Sequence, residues 1–383
     1  NMIFGGDGFQ PLVHPTNSNR IWAQYQYGNL YYSSDGGGYW SWAGGGISSN
    51  DRFNWNSPLV QDPADPDRRY FGTQRLYRST GNTSWTAISP DLTGGEHLGN
   101  SGQVDGILTT IGVSAVDADV IWTGSDDGYV QVTENAGATW TLVSTSLPDR
   151  WITSVRPDPQ DRETAYVTIS GFRWGEPMPR IYRTQDLGAS WSAISGNLPD
   201  APVNDLVIDP EDASHLVAAT DVGVFRSFDG GGQWHALGGD FPNVVVTSLT
   251  FEPSARRLVA GTYGRSFFMW TLESSAAVEQ PGGDWTATRG GRLAPVQPNP
   301  LTGGSAAVLR WSLPTAGAIE LEIFTAAGRR VWSSGLRTTR ATEGELSWQG
   351  RDRGGHPVAS GAYFVRLSVD GRPVDQKTIL VQR

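Results

Sequence analysis

Apolar and polar residues alternate with period two along most of the chain, in short runs bounded by Asp, Pro, Asn and Gly. Such runs predict short antiparallel strands, because successive side chains of a strand point to opposite faces. The stretch from Asn204 predicts four strands: Asn204–Ile208, His215–Thr220, Val224–Ser227 and Gln233–Leu237. The same layout starts at "PLVHPTNSNRIWAQ", "PLVQDPADPDRRYFGT", "IGVSAVDADVIWTGS", "SVRPDPQDRETAYVTIS" and "SLTFEPSARRLVAGT". Four strands in each unit of about 45 residues predict the blades of a β-propeller.

A second pattern is in register with the first. "SSDGGGYW" ends at Trp40, "TENAGATW" at Trp140, "TQDLGASW" at Trp191 and "SFDGGGQW" at Trp234, and a shortened "STGNTSW" ends at Trp85. The tryptophans are therefore 45, 55, 51 and 43 residues apart. A Gly-rich loop can cradle phosphate where it opens a helix. In "RSFDGGGQWHAL" a strand pattern follows the glycines, so the loop is expected to be scaffold. Six strand units with five such turns predict an all-β, six-bladed propeller, or part of a larger one, over residues 1–272. The sixth unit lacks the turn, and Met2–Phe4 is the strand expected to complete it by pairing with Phe267–Trp270.

Composition narrows the partners. The net charge is −10 and Lys377 is the only lysine, so no basic cluster is available for nucleic acid. Without cysteine there are no disulfides or thiolate metal sites. No apolar run reaches the roughly 18 residues of a membrane-spanning helix. The chain opens at Asn1 without an initiator Met or a leader, which is expected of a processed product or fragment.

The repeated turn resembles the Asp-box of BNR-like propellers, which include bacterial sialidases, xyloglucanases and sortilin-type receptors. That resemblance implies a hairpin between third and fourth strands in which the Asp accepts backbone N–H groups, the Gly is left-handed and the Trp packs between blades. Asp35, Trp40, Asn135, Trp140, Asp186, Trp191, Asp229 and Trp234 are then structural.

Residues 273–292 are rich in Gly, Pro, Ser and Ala and have no periodicity, as in a linker. Residues 293–383 alternate again and predict an Ig-like β-sandwich of seven strands. "QPNPL", "LEIFTAAGRRVW" and "WQGRDRGGHPVASGAYFVRL" resemble the C-terminal sorting domain of type IX secretion cargo, itself similar to the Ig-like domain of the flagellar hook-capping protein. The match is carried by Asn299, Pro300, Gly328, Arg329, Trp348, Gly350, Asp352, Gly355, Gly361, Tyr363 and Arg366. It implies the type IX export machinery as a partner and the exterior or outer-membrane surface of a bacterium as the location.

Candidate chemistry belongs on connections that do not repeat: 43–56, 89–108 and 171–180, with shorter turns beside them. They offer Tyr27, Arg52, Trp55, His97, Asp126, Arg173, Trp174, Tyr263 and Arg265 for a glycan, whose pyranose faces stack on rings while charged groups fix hydroxyls. Glu96, Asp105 and Glu176 are the candidate catalytic carboxylates. No cofactor is expected, and no zinc site. "DPADPD" at 62–67 and "GSDDG" at 124–128 are possible oxygen ligands of structural calcium, although neither has EF-hand spacing.

These features lead to the expectation of a non-catalytic binding, adhesion or assembly module that engages a glycan or surface protein. The alternatives are a sialidase- or xyloglucanase-like glycan hydrolase using the pore-face loops, and a structural subunit whose propeller another chain completes.

Overall fold

The computed structural model describes residues 9–79, 81–95, 105–237, 241–272, 292–294, 296–298, 301–302, 305–313, 317–325, 329–335, 337–339, 343–370 and 372–382. The expected closing strand Met2–Phe4, residues 273–291 of the linker, Glu96, His97, Asn299, Pro300 and Gly328 lie outside them. Among the described residues the chain is all-β apart from one 3-10 turn, Phe172–Trp174.

Five four-stranded antiparallel sheets follow one another along the chain, each in simple meander order. The first comprises Phe9–Val13, Ile21–Tyr25, Asn29–Ser33 and Ser41–Trp42, and the second Leu59–Gln61, Arg69–Gly72, Leu76–Ser79 and Thr86–Ala87. The third comprises Leu108–Val113, Ile121–Ser125, Val130–Thr133 and Thr141–Leu142, and the fourth Trp151–Pro157, Ala165–Ser170, Ile181–Thr184 and Ser192–Ala193. The fifth comprises Val203–Asp209, Asp212–Thr220, Gly223–Ser227 and His235–Ala236. A sixth sheet has three strands, Val246–Glu252, Arg257–Thr262 and Phe267–Thr271. Every fourth strand is only two residues long, shorter than the alternation predicts, because the turn Trp before it leaves the ladder to pack inward.

Two compact units are present: residues 1–219, 226–234 and 248–253, and residues 220–225, 235–247 and 254–383. In the first, consecutive sheets share cores. Trp22, Leu30 and Tyr32 of the first sheet pack with Leu59, Phe71 and Tyr77 of the second. Tyr70 and Leu76 of the second meet Leu108, Ile111 and Ile121 of the third, and Trp122, Val130 and Val132 meet Ile152, Val155 and Val167 of the fourth.

The repeated turns join these sheets. Asp35 Oδ1 accepts Gly38 N–H at 2.9 Å and Tyr39 N–H at 3.0 Å, while the Ser33 hydroxyl takes Gly37 N–H at 2.9 Å. Asp186 and Asp229 accept Ser190 and Gln233 N–H in the same way, each at 2.9 Å, and Asn135 accepts Thr139 N–H at 2.8 Å. Four of the indoles then cross to the preceding sheet. Trp85, Trp140, Trp191 and Trp234 donate Nε1–H to the carbonyls of Ala43 (2.7 Å), Ile88 (3.2 Å), Val143 (2.8 Å) and Ile194 (2.9 Å). Each of those carbonyls follows directly on a fourth strand. Gly231 sits at φ +98 and must be Gly for a second reason: a Cβ would lie 2.7 Å from the Ile194 carbonyl oxygen. The residue before it in the turn is also left-handed, and there Ala136 (φ 55) and Leu187 (φ 54) are tolerated.

First strands are also tied sheet to sheet, by side chains that accept a neighbour's backbone N–H. Gln10 accepts Leu59 N–H, Thr110 accepts Val155 N–H and Asp205 accepts Leu249 N–H, at 3.0, 3.2 and 2.9 Å. Asp205 further takes the Ser154 hydroxyl at 2.8 Å and the Arg156 guanidinium at 2.8 and 2.9 Å.

In the second unit, residues from 292 onward form two sheets. Arg292–Leu293, Ala307–Ser312 and Glu343–Trp348 make one; Leu301–Thr302, Gly317–Thr325, Arg330–Ser333, Arg337–Thr339, Gly361–Val369 and Arg372–Gln382 make the other. Both bury side chains in one core that includes Leu309, Leu321, Trp348 and Val365. The strands among the described residues number nine, against the seven expected, because short edge pieces add to the longer ones.

Candidate functional site

Antiparallel order decides which connections share an end of the sheets. First-to-second and third-to-fourth strand turns emerge at one end, here the turn face, and the Asp-bearing turns lie there. Second-to-third turns and sheet-to-sheet connections emerge at the other, the loop face. Among the described residues, the glycan-binding and carboxylate candidates of the first unit lie on the loop face.

Tyr27 and Trp55 come from two connections and meet there. Tyr27 sits at φ 57 in the turn after Ile21–Tyr25, and its N–H donates to the Trp55 carbonyl at 3.1 Å. Their rings lie edge to face, 5.0 Å apart, with Phe9 6.2 Å beyond Trp55. Tyr27 is 56% and Trp55 47% exposed, so the pair offers apolar ring surface to solvent. The next residue must be Gly: at Gly28 (φ +68) a Cβ would lie 2.7 Å from the Phe53 ring.

Arg52 is spent within the protein. Its guanidinium donates to Asp91 (2.7 Å), Thr93 (3.1 Å) and the Gly106 carbonyl (3.0 Å), tying one connection to the next. The side chain of Asp51 beside it is buried, accepting from the Tyr77 hydroxyl at 2.6 Å, Thr73 at 2.8 Å and Gln74 at 3.2 Å. Burial first and the Asp51 carboxylate second push the Tyr77 phenol up. Asp126 and Asp127 are buried as well. Asp126 accepts the N–H groups of Asp105 (2.5 Å) and Ile107 (2.8 Å), while Asp127 accepts Gly94 N–H (2.7 Å) and the Ser125 hydroxyl. Burial raises the Asp126 carboxyl against these bonds. The two carboxylates thus hold backbone on either side of the long connection, and Asp105 itself is exposed.

The third group surrounds the excursion after Ala165–Ser170. Glu176 accepts from Arg150 Nη2 at 2.7 Å and Nε at 3.2 Å, and from Arg180 Nη2 at 2.5 Å. Hydrogen bonds from Arg150, then from Arg180, lower its carboxyl to about 2. A carboxylate ionised at that pH holds no proton to give at neutral pH, so Glu176 is unsuited to general-acid work. Arg150 lies 5.1 Å from the Trp174 ring and Arg173 4.0 Å from that of Trp151, while Phe172 is exposed at the tip.

Tyr263 and Arg265 occupy the corresponding turn of the sixth sheet, both exposed, in the second unit. At 62–67 and 124–128, Asp62, Asp65, Asp126 and Asp127 accept backbone N–H groups, for example Asp62 from Ala64 at 2.9 Å, and Asp67 accepts the Arg20 guanidinium at 2.7 Å. Among the described residues no three His, Asp or Glu gather as metal ligands. Sequence reasoning missed Arg150, Arg180, Trp151, Asp91 and Tyr77. Arg180 follows its partner Glu176 by four residues, whereas the partners of the others lie 22 to 39 positions away, where no spacing announces them.

No family model matches the chain. An oligoxyloglucan-reducing end-specific xyloglucanase of Emericella nidulans is 26% identical over 233 residues, 55% of this chain and 27% of that protein. A xyloglucanase of a Paenibacillus species is 25% identical over 271 residues, 59% of this chain and 25% of its own length. The chain thus spans about a quarter of the length of these curated relatives. A GH74 enzyme of Niastella koreensis superposes with TM-score 0.51 at 14% identity, covering 96% of this chain and 66% of that one. An ancestral GH74 enzyme gives 0.52 at 15%, covering 97% and 54%. The fold is a β-propeller, as in these structures. The expectation of a non-catalytic binding, adhesion or assembly module is corrected by the two xyloglucanase relatives, which side with the glycan-hydrolase alternative.

Proposed function

We propose that this chain is part of a xyloglucanase-like glycan hydrolase whose loop face contributes one wall of the glycan site. The likeness to two xyloglucanases carries this reading. The exposed Tyr27–Trp55 pair supports it, since ring faces stack on the pyranose faces of a neutral glucan. Hydrolysis of a glycosidic bond uses two carboxyl groups, one protonating the leaving oxygen and one acting on water or the anomeric carbon. Asp105 is our candidate for one of them: it is exposed, and its own N–H is fixed on Asp126. The full natural polypeptide carrying this chain should release reducing ends from xyloglucan, and Asp105→Asn should slow it at least 100-fold. An Asp105→Asn protein with unchanged rate would remove Asp105 from the chemistry. Failure to cleave xyloglucan or any other β-glucan would overturn the activity.

We further propose that the repeated turns are Asp-boxes of a propeller that is six-bladed or larger, and that residues 293–383 are an Ig-like sorting module that takes the protein out through type IX export to a bacterial surface. The Tyr363 hydroxyl, which donates to the Ala359 carbonyl at 2.9 Å, supports the Ig-like reading as a tyrosine-corner bond. Deleting 293–383 in the producing bacterium should leave the protein inside the outer membrane; unimpaired display would refute the export reading.

A further inference from the structure

Trp55 and Asp105 stand on different loop-face connections, and the backbone beside Asp105 is held from both of its edges. Arg52, on the connection that carries Trp55, donates Nε–H to the Gly106 carbonyl at 3.0 Å, and Asn54 donates Nδ2–H to the Leu108 carbonyl at 3.3 Å. From the other edge the Asp126 carboxylate takes the N–H groups of Asp105 and Ile107, at 2.5 and 2.8 Å. Gly106 between them is left-handed at φ +67, where a Cβ would collide with the Gly95 carbonyl oxygen.

Arg52 is the charged tie of the two on the Trp55 side, and it is braced in turn. Its Nη2 donates to Asp91 at 2.7 Å and Thr93 at 3.1 Å, and its backbone N–H donates to Gln74 Oε1 at 2.9 Å. A planar guanidinium can serve Asp91, Thr93 and the Gly106 carbonyl in one fixed orientation, which the ammonium of a lysine cannot reproduce. At the far end of the same connection the Trp55 carbonyl accepts Tyr27 N–H at 3.1 Å. A continuous run of ties therefore leads from the exposed ring pair through Arg52 to the backbone of Asp105.

We propose that Arg52 is a positioning residue for the hydrolysis, setting the distance between the rings that hold the glucan chain and the Asp105 carboxyl that acts on it. The inference rests on the hydrolase reading above. Arg52 contacts no sugar in this role, because its donors are spent on the protein. Without the guanidinium the chain still stacks on Tyr27 and Trp55, but the scissile bond and the carboxyl no longer meet in register. A misplacement of about 1 Å can cost roughly 100-fold in rate.

The test is steady-state hydrolysis of xyloglucan by the full natural polypeptide carrying this chain, beside its Arg52→Lys variant. We expect kcat to fall at least about tenfold, while KM and the titrated affinity for xyloglucan oligosaccharide stay within about twofold. Arg20→Lys controls for general loosening: Arg20 ties the first sheet to the second on the turn face, through Asp67 at 2.7 Å and Asn82 at 2.9 Å, and its loss should leave kcat unchanged. Asp91→Asn, which removes one brace of the guanidinium, should lower kcat severalfold and decides the question if Arg52→Lys does not fold. An unchanged kcat in Arg52→Lys beside an inactive Asp105→Asn would overturn this inference and leave the hydrolase reading standing. Equal slowing by Arg20→Lys, or a loss of oligosaccharide affinity as large as the loss of kcat, would overturn it too. Failure of the unaltered polypeptide to cleave any β-glucan would remove the reaction and the positioning role together.

Discussion

The two ends of the sheets in the first unit are built by different rules. On the turn face the same bonds recur at the same spacing: hydroxyl to Gly N–H, carboxylate to the N–H four residues on, indole to the preceding sheet's carbonyl. On the loop face no network is repeated from one connection to another. Asp51 is gripped by Tyr77, Asp126 holds backbone, and Glu176 is clamped by two arginines. Repetition marks what every sheet needs to stack on its neighbour. The connections freed from that need are where a particular ligand can be addressed.

Breaking the turn face should therefore cost stability, and breaking the loop face should cost binding. The largest effect is expected from Trp85→Ala, which empties a buried interlock and strands the Ala43 carbonyl: about 3–5 kcal/mol by denaturant unfolding. Asp205→Ala should follow at about 3 kcal/mol, because Arg156 and the Leu249 N–H lose a buried acceptor together. Stability near that of the unaltered protein would mean that the sheets do not depend on this tie.

Replacing Tyr27 and Trp55 together by Ala should change stability little. It should weaken binding of xyloglucan oligosaccharide about tenfold, on the order of 1.4 kcal/mol, in a titration. Loss of folding instead would place the pair with the scaffold.

Asp229→Ala should cost about 1 kcal/mol, the scale of a lost cap, with glycan binding retained. Hydrogen bonds hold the carboxyls of Asp35 and Asp186 below the usual range, from Tyr39 N–H foremost in the first and the Ser190 hydroxyl in the second. Their contribution should be complete above pH about 4 and should fade as pH falls through the lower folded values. The third turn has Asn135 in this role and should show no such acid loss, which hydrogen exchange at pH 2 to 5 would reveal turn by turn. The smallest effect is expected at Ala136→Gly: relief of a left-handed alanine, partly offset by chain entropy, should raise stability by less than about 1 kcal/mol.

Much of the fold was legible because it repeats. The four-strand units, the turn Asp and the inward Trp all follow from residues spaced alike in several copies. The reading was less good where a residue's neighbour is remote. Arg52 looked available to a ligand, yet Asp91, Thr93 and the Gly106 carbonyl consume it. Asp126 looked like a pore-face carboxylate, and it is a buried acceptor for two backbone N–H groups. Glu176 looked like an acid, but Arg150 and Arg180 hold it ionised.

By itself the sequence determined the strand period, the four-strand repeat, and the local bonds of the turn in which Asp229 and Trp234 sit. These depend on local chirality, alternation and side-chain bonds within a few residues, which a chain carries with it. Only the tertiary structure decided which side chains of different connections meet, and which of them are already paired. Those outcomes depend on distances between residues some 40 to 50 positions apart, set by how one sheet packs against the next.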